Sequence, residues 1–296
     1  MPNPFSEEAP YWAAALEAYQ QDQLIEAWDR IEPHGIGEAG MHIRWYRLIE
    51  AEKLLRDHSV FTEVSDWLTL ETVPSETLEA EKWLGEQAIE VANKLETRFN
   101  WKGRPKVLLS ILCRDSETPW ATNPHGYWVS KDPHDKICLP FYLLEDSQEL
   151  RRALAHELSH VVCADLSAEH APTWLHEAMS MIAEDAMEEF EEEPAAMPKS
   201  WLKADALEML LEHENPDDVD EVFEGYLQCA WIGRYLASKG SDGHLSRLLI
   251  EHADEALQTN LGRLLRGEDR TGYALRRVYG MSVKRLFMEA EAWANG

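Results

Sequence analysis

Residues 150–184 read LRRALAHELSHVVCADLSAEHAPTWLHEAMSMIAE, and two short patterns inside this stretch set the expectation for the whole chain. The first, His156-Glu157-Leu158-Ser159-His160, has the form H-E-x-x-H. On a helix, positions i and i+4 share a face about one turn apart, so two imidazoles can reach one tetrahedral metal with Zn–N bonds of about 2.0–2.1 Å. Glu157 is rotated off that face yet stays beside the position left open for water, where it can serve as general base. Five residues alone are a weak signal, because a shuffled copy of a chain this rich in His and Glu contains the pattern in roughly one case in sixteen. The surroundings add to it. Asp146, with Glu149 three residues on, gives a start like a capping box in which Asp replaces Ser or Thr. Leu150, Leu154, Leu158, Val161 and Val162 then form an apolar stripe, so the spacing predicts an amphipathic helix of about four turns carrying the motif.

A metal centre of this kind needs a third protein ligand and an open position. The pattern H-E-x-x-H-x-x-G-x-x-H is excluded, because Cys163 and Leu166 stand where its glycine and third histidine belong. Asp165 and His170 can reach back from the connecting loop. Glu177 sits on a second predicted helix, opened by Pro172 in its first turn, and is the favoured candidate.

The second pattern is Trp174-Leu175-His176-Glu177-Ala178. H-E-x-x-H followed downstream by W-L-x-E-[GA] resembles the gluzincins, the peptidase MA-like zinc metallopeptidases. The resemblance implies that Glu177 is the third zinc ligand beside His156 and His160. It implies one zinc ion per chain and hydrolysis of peptide bonds, with Glu157 as general base. Further likenesses are the segment KICLPF before the motif helix, the segment Gly225-Tyr226-Leu227-Gln228-Cys229-Ala230-Trp231 after it, and the closing residues 273–293. In the family a tyrosine on such a helix serves as oxyanion donor, which carries over to Tyr226 as a second catalytic residue, with Tyr127 and His125 next in line. The likeness spans residues 80–294, and only the two zinc patterns in it are specific. Three departures stand out. Ala178 replaces the usual glycine. Met181 occupies the position where thermolysin-like enzymes place an aspartate that supports a histidine ligand, so another acceptor must serve. The G-x-M-E-N signature of the aminopeptidase branch is absent.

Outward from the motifs, the first hundred residues read as helical. Trp12, Leu16, Tyr19, Leu24, Ala27, Trp28 and Ile31 recur at helical spacing up to Pro33. A second helix is predicted from about Gly40 to Arg56, and a third after Pro74 with Ser75 as N-cap. The tryptophans here read as core. Three short strands follow: Pro105–Cys113, Gly126–Lys131 and Lys136–Phe141. Pro140 implies that the last lies at a sheet edge, where a substrate peptide could add as a further strand. Strands followed by helices predict an α+β fold: a zincin-like domain over residues 76–296 with a small antiparallel or mixed sheet and a mainly helical C-terminal half, preceded by a helical region over residues 1–75. That region is read as a surface for recruitment or restraint, so that a chain begun near Pro74 would keep its zinc.

Of the remaining histidines, His125 and His134 are candidates for touching substrate, and the others read as ordinary surface or core residues. Cys163 reads as a buried structural thiol. The acidic run Glu184–Glu193 reads as a solvated helix end, with a rim for basic peptides as the alternative. The 296 residues carry a formal net charge of −27, which argues against binding nucleic acid or anionic membranes. No apolar run reaches the roughly 20 residues that a membrane span needs. The first residues lack a secretory pattern, and the four cysteines form no CxxC pair, so a cytoplasmic protein with reduced thiols is expected. The expected partner is a peptide or protein substrate. A non-catalytic zinc-binding scaffold is the competing reading.

Overall fold

The computed structural model describes residues 10–36, 42–74, 80–114, 126–187, 196–212, 219–254 and 269–296. The fold is α+β, mostly helical with one small mixed sheet. It resolves into two compact units, Met1–Gln87 with Arg104–Leu150, and Ala88–Gly103 with Arg151–Gly296. The units therefore do not divide at residue 75.

The first unit opens with helices α1 (Pro10–Gln20), α2 (Leu24–Ile31) and α3 (Ile43–Arg56). The single periodic segment seen before Pro33 is two helices, broken where Asp22 takes the left-handed φ of 53°. Leu24, Ala27 and Ile31 form the buried face of α2. The sheet contains β1 (Val60–Glu63), β2 (Leu68–Thr72), β3 (Val107–Ile111), β4 (Tyr127–Val129) and β5 (Asp135–Leu139), in the spatial order β1-β2-β3-β5-β4. The two outer pairings are antiparallel and the two inner ones parallel. Helix α4 (Glu81–Phe99) lies between β2 and β3 in the sequence.

Two expectations are corrected here. The first hundred residues are not helical throughout, since β1 and β2 lie within them. Nor is the strand at 136–141 an edge: β5 pairs with β3 on one side and β4 on the other. Pro140 stands just past its last residue and caps a 3-10 turn, Phe141–Glu145, so its missing N–H costs the ladder nothing. Peptide addition along β5 is thereby ruled out.

The helices and the sheet of this unit share one core, in which Trp12, Tyr19, Ile31, Leu48 and Leu55 pack with Leu112, Tyr127 and Cys138. A charged network lies buried in the same unit. The Glu52 carboxylate of α3 accepts from Lys136 Nζ at 2.7 Å, from Lys131 Nζ at 3.3 Å and from the hydroxyls of Tyr127 and Tyr19. Glu71 of β2 accepts from Ser110 at 2.7 Å and from Arg56, with Lys136 Nζ at 3.3 Å. Asp22 lies 3.3 Å from Arg56 and 3.6 Å from Lys131. Three carboxylates thus face three cations. Burial alone would raise the Glu52 carboxyl, but Lys131, Lys136 and the Tyr19 hydroxyl together hold it down at about 2. A chain begun near Pro74 would lack two strands and all three carboxylates.

The second unit is helical: α5 (Ser147–Ser167, entering from the first unit), α6 (Thr173–Asp185), α7 (Ala204–Glu212), α8 (Val219–Lys239), α9 (Asp242–Ala253), α10 (Arg270–Tyr279) and α11 (Val283–Ala294). Asp146 caps α5 as expected, its Oδ1 accepting from the N–H groups of Gln148 and Glu149. At the other end Ala168 and Glu169 both take left-handed φ values, 49° and 59°, which lets the chain reverse directly into α6. The α6 N-terminus is held from outside: Glu208 of α7 accepts from the N–H groups of Thr173 and Trp174 at 2.8 and 3.0 Å. Helix α8 crosses α6 closely at Gly233, where a Cβ would stand 2.4 Å from the Ala178 carbonyl oxygen. Only glycine permits that approach. Among the described residues no helix is long and apolar enough to cross a membrane.

Candidate metal centre

The tight reversal after α5 lays α6 beside it in the opposite direction. Contacts step along the two helices in register: Arg152 with Glu184, His156 with Glu184 and Glu177, His160 with Glu177 and Ser180. On α5 these residues are spaced by four, and on α6 they fall at Glu177, Ser180 and Glu184, so each set occupies one helix face.

Donor atoms converge at the centre of this seam. His156 Nε2 lies 3.4 Å from Glu177 Oε2, and His160 Nε2 lies 3.7 Å from Glu177 Oε1. One donor atom from each of the three residues falls within 4.8 Å of the other two. Two donors bound to one tetrahedral zinc at about 2.0–2.1 Å stand roughly 3.4 Å apart, so the spacing suits such an ion. The buried atoms His156 Nε2 and Glu157 Oε1 have no hydrogen-bond partner. Unsatisfied buried polar atoms are costly and mark either strain or a missing ligand. An imidazole–imidazole–carboxylate set is also the donor chemistry that zinc takes in catalytic sites. On spacing, orphaned atoms and donor type, these residues fit zinc.

The side chains also shift one another's protonation. All four are nearly inaccessible: His156 4%, Glu157 1%, His160 7% and Glu177 8% exposed. Burial pushes the Glu157 carboxyl up to about 8; His156 opposes the rise, and the Glu177 and Glu184 carboxylates add to it. Burial also depresses His160, helped by His156 and His176. His156 is the exception: burial would lower it, but Glu177 and Glu184 hold it well above the usual histidine range. A cation held between them would reverse the rises at His156 and Glu157 and add to the lowering of His160, because it favours neutral imidazole and ionised carboxylate.

The other sequence candidates are not among these donors. Asp165 is exposed, and its carboxylate accepts from the Trp101 indole at 2.7 Å. His170 is exposed beyond the end of α5. Tyr226 is half-buried inside α8 and does not open that helix, which begins at Val219. It precedes Gly233 by two turns and so stands on the side of α8 that meets α6. Tyr127 gives its hydroxyl to Glu52 in the first unit. His134 is half-buried there, with Nε2 3.7 Å from Asp22. His125 and Ser75 lie outside the described residues, as does the acidic run from residue 188 onward. Cys163 is fully buried, as expected, with its thiol pushed up by burial and by the Glu177 charge.

Sequence reasoning missed four neighbours of this centre: Arg152, His176, Ser180 and above all Glu184. His176 stacks on His160 with centroids 5.7 Å apart, and burial lowers it to about 4. Glu184 heads an acidic run whose sequence predicts a solvated helix end, but it is 5% exposed and its Oε1 lies 2.6 Å from His156 Nδ1. The available signal was its place seven residues after Glu177, on the same face of α6. No family model, no curated protein and no solved structure matches this chain.

Proposed function

We propose that this chain is a zinc-dependent peptidase of the gluzincin type, with a zincin-like fold. One observation carries the reading: the donors of His156, His160 and Glu177 stand at zinc-like spacing beside a buried Glu157 whose Oε1 has no partner. His156, His160 and Glu177 would hold the ion. When bound, zinc supplies Lewis acidity to a carbonyl oxygen and lowers the pKa of a coordinated water towards about 7. Glu157 takes the proton of the attacking water and delivers it to the leaving amine. The Tyr226 hydroxyl donates to the oxyanion, staying protonated at neutral pH because phenols ionise near about 10.

The scaffold reading draws on a different observation, the near-complete burial of the cluster, which leaves a substrate little access to an ion held there. Glu157 separates the two readings. A structural site has no use for a carboxylate that is not a ligand, and burying one without a hydrogen bond is unfavourable. A reducing, cytoplasmic setting, in which the four cysteines stay thiols, is part of this reading. The exposed Ile25 of α2 and Leu54 of α3 leave the N-terminal helices an outer surface for a protein partner. A peptide library offered to zinc-loaded chain, to chelated chain and to Glu157→Gln tests the reading. Cleavage by the loaded wild type alone supports a peptidase, and full zinc occupancy without cleavage of any library member supports the scaffold.

A further inference from the structure

We propose that Glu184 is the positioning residue of the metal centre: it fixes the ring tautomer of His156 so that Nε2 is the atom offered to the ion. The inference rests on the zinc reading above. An ionised carboxylate is acceptor only, so the 2.6 Å contact between His156 Nδ1 and Glu184 Oε1 requires the proton to sit on Nδ1. In the neutral ring that binds a metal, Nε2 then carries the bare lone pair, and it is the nitrogen that faces Glu177 at 3.4 Å. Turned over, the ring would offer the wrong atom and leave Glu184 opposite a carbon.

The carboxylate is itself held. Its second oxygen accepts from Arg152 Nη2 at 3.4 Å, and Arg152 stands one turn before His156 on α5. Helix α6 therefore carries both a ligand, Glu177, and the group that orients another ligand, two turns further on. Position 181, one turn after Glu177, carries a methionine, which offers no oxygen acceptor. The antiparallel run of α5 and α6 explains why the acceptor sits at 184: moving on along α6 moves back along α5, away from Glu177 and towards the far edge of the His156 ring. Such outer partners are worth about 10–100-fold in metal affinity.

The test measures zinc affinity by competition with a chromophoric chelator, and the His156 tautomer by nitrogen-15 NMR, on full-length chain stripped of metal and titrated with zinc. Glu184→Leu should weaken zinc by roughly 10–100-fold and lose the Nδ1-protonated, Nε2-bound pattern of His156. Glu184→Gln keeps an acceptor oxygen and should restore both to near wild type. Glu184→Asp keeps the charge but withdraws the oxygen; it should show an intermediate loss, and it carries the test if the leucine variant does not fold. A purely structural ion pair predicts a lower melting temperature with unchanged zinc affinity and an unchanged tautomer, and that result overturns the inference alone. A wild-type chain that takes up no zinc overturns the zinc reading and this inference together.

Discussion

Two clusters of buried ionisable side chains, one in each unit, are built on opposite principles. In the first unit Glu52, Glu71 and Asp22 face Lys131, Lys136 and Arg56, and the oxygens of Glu52 and Glu71 are taken up by cations and hydroxyls. In the second unit the His156–Glu157–His160–Glu177 cluster leaves His156 Nε2 and Glu157 Oε1 buried without a hydrogen-bond partner. A closed set of pairs can hold elements together but has nothing left to offer a ligand. An open set is poorly satisfied as pure architecture, and a cation with a water would supply what it lacks. Burial and charge alone do not separate the two; the count of satisfied atoms does.

The sharpest way to break the contrast is Glu157→Gln. If the open cluster is catalytic, turnover on any cleaved peptide should fall by about 10²–10⁴-fold, with zinc content and melting temperature held. An equal loss of zinc would make Glu157 a ligand and not a base.

The closed cluster should respond in stability. Glu52→Ala takes from the buried Lys131 and Lys136 the nearer carboxylate of each and should cost about 3–5 kcal/mol in chemical denaturation. The pH dependence has a defined sign. Glu52 is held at about 2 in the folded chain against an ordinary 4.5, so the unfolded chain takes the proton first as pH falls. The contribution is whole above about 4.5 and drains away between about 4.5 and 2. Melts of wild type and Glu52→Gln should therefore differ most at neutral pH and converge in acid. A gap that widens in acid would show that Glu52 is not held ionised.

Tyr226→Phe sharpens the limits of the open cluster. Loss of one oxyanion donor should lower kcat by about 10²–10³-fold, with KM, zinc and melting temperature little changed. Wild-type turnover would make Tyr226 a packing residue of α8.

The seam of the second unit was largely legible because helical spacing carries it. His156 and His160 share a face by being four apart, and Pro172 marks where α6 begins. Glu184 was hidden by its company: it heads a run of acids, and a local charge count says surface where the heptad distance from Glu177 says seam. The first unit was harder to read. β1 and β2 have four and five residues, too short to compete with flanking helical periodicity, although Val60, Thr62, Thr69 and Thr72 are β-branched. Pro140 misled about β5 because one residue decides between a proline inside a strand and one just past its end. The Glu52 network had no local signature at all. Its members come from residues 22 to 136 and meet only when the sheet and the helices pack.

The most direct test is a zinc titration with metal analysis on wild type and four variants. The account predicts one zinc per wild-type chain, sharp loss in His156→Ala and Glu177→Ala, and full retention in Asp165→Asn and His170→Asn. Full zinc in Glu177→Ala, or its loss in Asp165→Asn or His170→Asn, would contradict it.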